Sequence, residues 1–451
     1  MGDVTNRPSL IPFWILPLCT LLTILATILA INLWSLALPG LPRAESEAMK
    51  LVYNQILEDY VEPRDGSDLM FSAIEGMVDG LDKHSEFIRP AKVRSFEEAT
   101  TGTYEGIGIV MVPRARTILF PFSQGPAELA GFRVGDKIMA VDGVSLEDIP
   151  AKQLNAKVRE LLLGPPSSTV TVSIKRDSDA QLDLEVTRSD IQKPSVKWAR
   201  LLDPEQRIGY IYLSRFQQDS STELDLALEH LQKHATGELH GLILDLRFNR
   251  GGLLDEAVAL TSRFLREGTI VTLKSRGSHE IERHEAKTED CAFPELPLVI
   301  LMNSASASAS EVTAGALQDH GRARVVGTRS YGKGVVQSIF RWQGTDFRLK
   351  LTTSHYYTPN GRSIERQMRR EEDGDAEGGI DPDREVLVSD KERQNLRDAL
   401  GDWEVPPRWQ DDARELCMRL NIDYPQPLPI DQDKQLAEAL DELRSFVQQK
   451  K

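Results

Sequence analysis

The apolar residues of the chain begin with an unbroken run close to the N-terminus. Residues 11–38 carry no charged side chain, and an uncharged run of that length spans a bilayer as a helix. Because a cleavable signal has a shorter apolar region, the run predicts an uncleaved anchor. Trp14 and Trp34 lie near its two ends, where aromatic side chains favour the membrane interface. We expect residues 1–10 in the cytoplasm and everything after the anchor outside the cytoplasmic membrane.

Downstream of this run the spacing of apolar residues changes three times. Residues 44–98 place apolar side chains at helical spacing, as in "MKLVYNQILEDYV", and predict a helical region. Residues 99–192 alternate in the manner of strands between glycine turns and predict a small β-rich domain. Residues 193–390 twice join an apolar strand, a small-residue turn and a helix, which predicts an α/β core. Residues 391–451 return to helical spacing and predict a helical C-terminal region.

Composition narrows the classes of function. The 451 residues are 40% hydrophobic and 27% charged, as in an ordinary globular chain of several domains. The net charge of −15 argues against a general nucleic-acid binder, since such proteins carry a basic patch or stripe. The three cysteines are far apart and lack metal-ligand spacing, so they predict neither a zinc site nor a disulfide framework. A single Cys291–Cys417 bridge stays open.

The segment "SASASASE", residues 304–311, contains a candidate nucleophile. Ser308 stands where an apolar strand has ended and a helix begins, a position that leaves helix amides unpaired. The amide of Ala309 can then donate to a developing oxyanion, helped by the positive end of the helix. A second strand–turn–helix unit carries Gly251 and Gly252, which allow the backbone to approach a substrate closely. We expect both sets of amides at one edge of the sheet.

A nucleophilic serine needs a base, and the sequence offers two candidates. His320 lies in the helix that follows Ser308, where it is typical of a surface residue. Lys333 is flanked by glycines and precedes an apolar strand, so burial would lower its pKa towards neutrality. Gln337, four residues further on, is expected to share a strand face with Lys333 and to hold its amine. These patterns alone leave the base undecided.

Several longer segments, in order along the chain, resemble one known family. The segments "SASASE", "AGALQDHGRARVVG" and "YGKGVVQ" are similar to those of the C-terminal processing peptidases, or tail-specific proteases. So are "LILDLRFNRGGLLDEAV", "YYTPNGRSI" and "LDKHSEFI", while "YEGIGIVMV" and "AGFRVGDKIMAVDG" resemble the PDZ domain of bacterial proteases. The resemblance covers about residues 46–390. It implies a crotonase-like α/β protease core with an inserted PDZ domain, to which the apolar patterns described above add helical ends and an N-terminal transmembrane helix.

The resemblance also implies roles for individual residues. The nucleophile falls on Ser308, the general base on Lys333 and the residue that orients the lysine on Gln337. The oxyanion amides fall on Ala309 and on either Gly251 or Gly252. The remaining serines of the run, Ser304, Ser306 and Ser310, are expected to be supports or caps. The tail-binding loop of the PDZ domain, whose amides would bind a free C-terminal carboxylate, falls on Gly106, Ile107, Gly108 and Ile109.

Three positions depart from the family's pattern. Ala305 stands where the family usually has glycine, and Arg250 stands where proline or glycine is common. The loop of residues 366–384 is longer and more acidic than usual. None of these departures removes an implied catalytic residue, but they leave substrate preference and the level of activity open.

The sequence therefore predicts a serine endopeptidase anchored by one helix in the bacterial cytoplasmic membrane, with its catalytic domain on the periplasmic side. The expected partners are protein substrates with free apolar C-termini, and the helical ends suit a homodimer or larger homo-oligomer. The sequence implies no metal, no organic cofactor and no nucleic-acid partner. Two rivals remain: a PDZ adaptor whose protease fold is gated or inactive, and a serine–histidine hydrolase that uses His320.

Overall fold

The computed structural model describes residues 41–176, 180–366, 378–401, 405, 409–426 and 428–449. The chain divides into two compact units, with the boundary between Leu81 and Asp82. The predicted cytoplasmic residues 1–10 and the predicted anchor, residues 11–38, lie outside the described residues. Within the described ranges, no helix combines the length and the apolar character needed to cross a bilayer.

The first unit is helical in its described part. It contains α1 (Arg43–Asp59) and α2 (Gly66–Asp79). The Asp65 carboxylate accepts a hydrogen bond from the Asp68 amide at 3.0 Å and caps the N-terminus of α2. The second unit opens with β1 (Glu86–Ile88) and α3 (Pro90–Thr101). The region predicted to be helical, residues 44–98, thus also contains a strand.

A small antiparallel domain follows α3. Its elements are β2 (Thr103–Gly106), β3 (Ile109–Val112), β4 (Thr117–Pro121), α4 (Pro126–Leu129), β5 (Lys137–Val141), β6 (Val144–Ser145), α5 (Ala151–Leu162), β7 (Thr169–Arg176), β8 (Ala180–Thr187) and β9 (Ser189–Gln192). The strand order of its sheet is β3-β4-β5-β7-β8, and β6 pairs with β5. The alternate residues Val170, Val172 and Ile174 of β7 are fully buried, as the period of two along a strand requires. The separate ribbon β2-β9 brings the two ends of the domain together.

The core of the second unit is an α/β structure, as predicted. Its elements are β10 (Val196–Asp203), β11 (Ile208–Leu213), α6 (Ser220–His234), β12 (Gly241–Asp245), α7 (Leu254–Ser262), β13 (Gly268–Lys274), β14 (Glu280–Ala286), β15 (Leu298–Met302), α8 (Ala309–Asp319), β16 (Arg324–Gly327), β17 (Val335–Phe340), β18 (Arg348–Tyr357) and β19 (Arg384–Glu385). The C-terminal region adds α9 (Asp390–Gly401), α10 (Gln410–Leu420) and α11 (Lys434–Gln449). Short 3₁₀ helices occupy Pro113–Ala115, Arg276–Ser278, Thr288–Asp290 and Ile430–Gln432.

The central sheet has the strand order β10-β11-β12-β15-β16-β19, and every pair except β10-β11 is parallel. Helices cover both of its faces, which explains why every residue of β12 and β15 is buried. Leu244 and Ile300 pack in the cluster that includes α6, α7 and α8, whereas Ile243 and Val299 face the cluster formed with α9 and α11. The strand–turn–helix units after β12 and β15 consequently meet at the carboxyl edge of the sheet.

A second sheet in the order β1-β18-β13-β14, with β17 also paired to β18, lies in the same unit. It carries the segment that contains Lys333, directly before β17. Helix α10 of the C-terminal region packs against the small antiparallel domain, where Leu416 and Cys417 share a buried cluster with Leu119 and Phe120 of β4. Cys291 and Cys417 are both free, so the Cys291–Cys417 bridge left open by the sequence is wrong.

Candidate active site

Ser308 occupies a strained position between β15 and α8. Its φ is +56° and its ψ is −117°, a conformation that costs free energy for a residue other than glycine. Such strain is common where a side chain must be held in a functional position. Ala305, which replaces the family's usual glycine, is not among the described residues with positive φ, so alanine fits this turn without backbone strain.

Two of the neighbouring serines fix this turn to the turn after β12. The Ser306 hydroxyl donates to the Leu246 carbonyl at 2.8 Å, and the Ser310 hydroxyl donates to the Asn249 carbonyl at 2.9 Å. Both serines are fully buried, and both therefore support the backbone on either side of Ser308. Ser304 is exposed and makes no comparable contact among the described residues.

The glycine turn after β12 lies directly against Ser308. A Cβ atom on Gly251, whose φ is +92°, would stand 2.8 Å from the Ser308 Cβ and 2.6 Å from the Ala307 carbonyl oxygen. The Gly251 amide donates to the Asn249 side chain at 2.9 Å. The amides of Gly252 and Ala309 donate no hydrogen bond within the described residues. Those two amides are the open donors beside the serine.

Arg247, just upstream of the glycine turn, is fully buried and anchors the turn to the C-terminal region. Its guanidinium donates to Asp245 at 2.6 Å and to Asp433 at 2.7 Å and 2.8 Å. Asp433 immediately precedes α11, so the last helix helps to fix the turn. Sequence reasoning missed this contact because 186 positions separate the two partners.

Glu311, three residues after Ser308, joins the serine to the lysine segment. Its buried carboxylate accepts hydrogen bonds from the Ser308 amide at 2.7 Å and the Lys333 amide at 2.9 Å through Oε2. Through Oε1 it accepts from the Ser330 hydroxyl at 2.5 Å and the Gly332 amide at 2.6 Å. Burial raises the pKa of Glu311, and these four donors oppose that shift. The Ser-x-x-Glu spacing, typical of a capping box, signals the first of these contacts in the sequence.

Lys333 is half-buried in the cleft beside Ser308. Burial lowers the pKa of its amine, and the positive charge of Lys350 lowers it further. A lowered pKa increases the neutral fraction that can accept a proton. Lys333 Nζ donates no hydrogen bond to Ser308 or to any other described residue, although both residues line the same cleft.

The predicted contact between Gln337 and Lys333 is absent. Gln337 Nε2 instead lies 3.3 Å from the Thr352 hydroxyl and 3.4 Å from the Val335 carbonyl. A register shift between Val336 and Gln337 breaks the strict alternation of β17, and Lys333 lies before the strand begins. Gln337 and Lys333 therefore line the same cleft without a hydrogen bond between them.

One cleft of about 530 Å³ is lined by several of the residues described above. Ser308, Lys333, Gln337, Gly251 and Gly252 all line it, together with Tyr356, Arg215, Arg250 and Lys350. Tyr356 lies next to the Ser308 side chain, and burial raises the pKa of Tyr356 to about 12. Sequence reasoning gave this tyrosine no role.

His320 does not reach the cleft. It caps the far end of α8, about 18 Å from Ser308 at the rise of an α-helix, and its ring contacts the Thr269 carbonyl at 2.8 Å. The serine–histidine alternative is therefore wrong in this arrangement. Within the described residues, no cluster of three histidine, cysteine or acidic side chains is placed to hold a metal ion.

A second groove of about 390 Å³ lies in the small β domain. Gly106, Ile107, Gly108 and Ile109 line it, opposite Val158 and Leu162 of α5. The amides of Ile107 and Gly108 donate no hydrogen bond within the described residues, and the φ of Gly108 is +73°. The groove thus combines apolar walls with open amides, the features that a peptide C-terminus requires.

The fold and these two sites define a serine hydrolase that carries a peptide-binding domain. Residues 207–386 match peptidase family S41, and residues 123–176 match the PDZ domain. A carboxy-terminal-processing protease of Bartonella bacilliformis is 38% identical over 318 residues, which are 70% of this chain and 71% of that protein. The chain belongs to peptidase family S41 and is a serine protease. The predicted family, enzyme class and PDZ domain are confirmed.

Another relative is also named as a serine protease. A probable CtpA-like serine protease of Staphylococcus aureus is 34% identical over 353 residues, which are 76% of this chain and 68% of that protein. Among solved structures, a photosystem II D1 C-terminal processing protease is 26% identical with a TM-score of 0.43. That match covers 75% of this chain and 86% of the other.

Proposed function

We propose that this protein is a serine endopeptidase that captures proteins by their free apolar C-termini and cleaves them with a Ser308–Lys333 dyad. We further propose a single anchor at residues 11–38 in the bacterial cytoplasmic membrane and a catalytic unit on its periplasmic side. One observation carries the catalytic proposal. Ser308, in a strained turn, shares a cleft with a half-buried lysine of lowered pKa and lies beside the open backbone amides of Gly252 and Ala309.

The reaction begins when the neutral amine of Lys333 accepts the hydroxyl proton of Ser308. The serine oxygen then attacks the peptide carbonyl, and the Gly252 and Ala309 amides stabilise the resulting oxyanion. Lys333 returns the proton to the leaving amine, and water hydrolyses the acyl-enzyme. Gly252 is preferred to Gly251 as a donor because the Gly251 amide already binds the Asn249 side chain.

The dyad closes only if side chains move. Lys333 Nζ has to approach the Ser308 hydroxyl, and Gln337 has to leave Thr352 before it can hold the amine. Glu311 already fixes the backbone of Ser308 and Lys333, so we propose that rotation of the side chains closes the dyad. The missing hydrogen bond between the Lys333 amine and Ser308 also favours one rival, a PDZ adaptor with a gated protease fold.

The test uses the full chain in detergent and an unstructured protein that ends in an apolar tail. We expect the wild type to cleave it, Ser308→Ala and Lys333→Ala to bind the tail without cleavage, and an amidated C-terminus to protect the substrate. Undiminished proteolysis by Ser308→Ala would remove the proposed nucleophile. Tail binding by the wild type without hydrolysis of any unfolded protein would favour the adaptor.

A further inference from the structure

The PDZ groove and the catalytic cleft are both lined by positively charged side chains. Arg159 and Lys193 line the groove, Arg215 and Arg250 line the cleft, and no carboxylate lines either cavity in the described part of the chain. We call these four residues the basic track. The protein as a whole carries 69 acidic and 54 basic residues, so the composition would lead one to expect acidic neighbours.

The side chains of the basic track form no ion pair with any described residue. Lys193 lies over the ring of Tyr104, with Nζ 5.1 Å from the ring centroid. Glu98 is the acid whose charge acts on Lys193, but it is already bonded to Arg94 at 3.2 Å. Within the described part of the chain, the cationic side chains therefore have no strong anionic partner.

Lys193 interacts electrostatically with one cationic residue of each cavity. It lines the PDZ groove and lies at the end of β9, where the chain returns to the core. Burial lowers the pKa of Lys193, and the charges of Arg159 and Arg215 add to that effect. Arg159 belongs to the groove and Arg215 to the cleft, so the like charges follow one another from one cavity to the other. Such clustering costs free energy that a bound anion would recover.

We propose that the basic track binds acidic side chains of the substrate between its apolar C-terminus and the bond that is cleaved. This inference rests on the proposed function and names its substrate class: proteins whose apolar tails are preceded by aspartate or glutamate. The open amides of the Gly106–Ile109 loop donate to the terminal carboxylate, whereas the basic track donates to side-chain carboxylates further along the substrate.

The test compares three unstructured substrates with one apolar tail and spacers of equal length that carry Glu, Gln or Lys. Because a partly solvated ion pair is weak, we expect each engaged glutamate to raise kcat/KM about three- to fivefold over glutamine, with lysine lowest. Arg215→Glu reverses this order. Arg276→Glu changes the net charge equally at an exposed position in the β13–β14 connection and keeps the order of the wild type.

Fluorescence anisotropy with full-length Ser308→Ala measures binding of the same three tails without turnover. Equal affinities for the Glu, Gln and Lys tails, unchanged by Arg215→Glu, would overturn the basic track. The proposed function fails separately, by the absence of Ser308-dependent cleavage of every substrate. The order of tail affinities still decides the inference in that case.

Discussion

Replacement of Glu311 by glutamine isolates the link between the proposed nucleophile, Ser308, and the proposed base, Lys333. The substitution keeps the volume of the side chain and removes one acceptor oxygen and the negative charge. The side-chain amide nitrogen of the glutamine is best placed where Oε1 of Glu311 lies, because the Ser330 hydroxyl can rotate and accept a hydrogen bond from it. The Gly332 amide then loses its acceptor, while the Ser308 and Lys333 amides keep a neutral one.

The magnitude follows from these contacts. An unpaired buried donor costs about 1–3 kcal/mol, and bonds to a charged acceptor are roughly twice as strong as bonds to a neutral one. We therefore expect Glu311→Gln to lower the free energy of unfolding by about 2–4 kcal/mol. The loss of the negative charge also lowers the pKa of Lys333, because that charge now favours the protonated amine.

Two measurements on the full chain test both effects. Urea unfolding gives the stability, and kcat/KM as a function of pH gives the limb along which Lys333 loses its proton. We expect lower stability, lower kcat and a limb displaced to lower pH. Glu289→Gln, at an exposed position, is the matched control and should change none of these. A variant with the stability and the pH limb of the wild type would refute the assigned role of Glu311.

Two further substitutions give outcomes of known direction. Lys350→Met removes a positive charge that lowers the pKa of Lys333, so the pKa rises and the rising limb of kcat/KM shifts to higher pH; a shift to lower pH would exclude the electrostatic coupling. Asp433→Asn leaves the buried Arg247 with one anionic partner and should cost about 2–3 kcal/mol in urea unfolding. The exposed Asp431→Asn is its control, and equal stability of the two variants would contradict the role given to Asp433.

Local patterns in the sequence predicted the elements that carry the site. An apolar strand followed by small residues and a helix placed Ser308 at a helix start, and the glycines around residue 251 predicted the facing turn. Both features depend on contacts between near neighbours in the chain. Parallel strands then bring such turns to one edge of a sheet, which explains why Ser308 and Gly251 meet.

The orientation of side chains was less predictable. A strict period of two would place residues 333 and 337 on one face, and both do line the cleft, but the partners of Gln337 depend on the pairing of β17 with β18. The contacts of Glu311 with Ser330, Gly332 and Lys333 span 19 to 22 positions. No local pattern encodes partners at that separation, although the capping-box spacing points to the serine.

Buried charges hold the backbone of the site, whereas the Lys333 amine makes no hydrogen bond within the described residues and the Ser308 side chain contacts Tyr356. Glu311 fixes the amides of Ser308 and Lys333, and Arg247 fixes the turn that leads to Gly252. Both groups are costly to bury, and each gains its stability only when all of its partners are in place. Oxyanion donors arranged in this way need no reorganisation during the reaction. We therefore expect the control of activity to depend on the Lys333 and Gln337 side chains, whose movement towards Ser308 is the proposed step before catalysis.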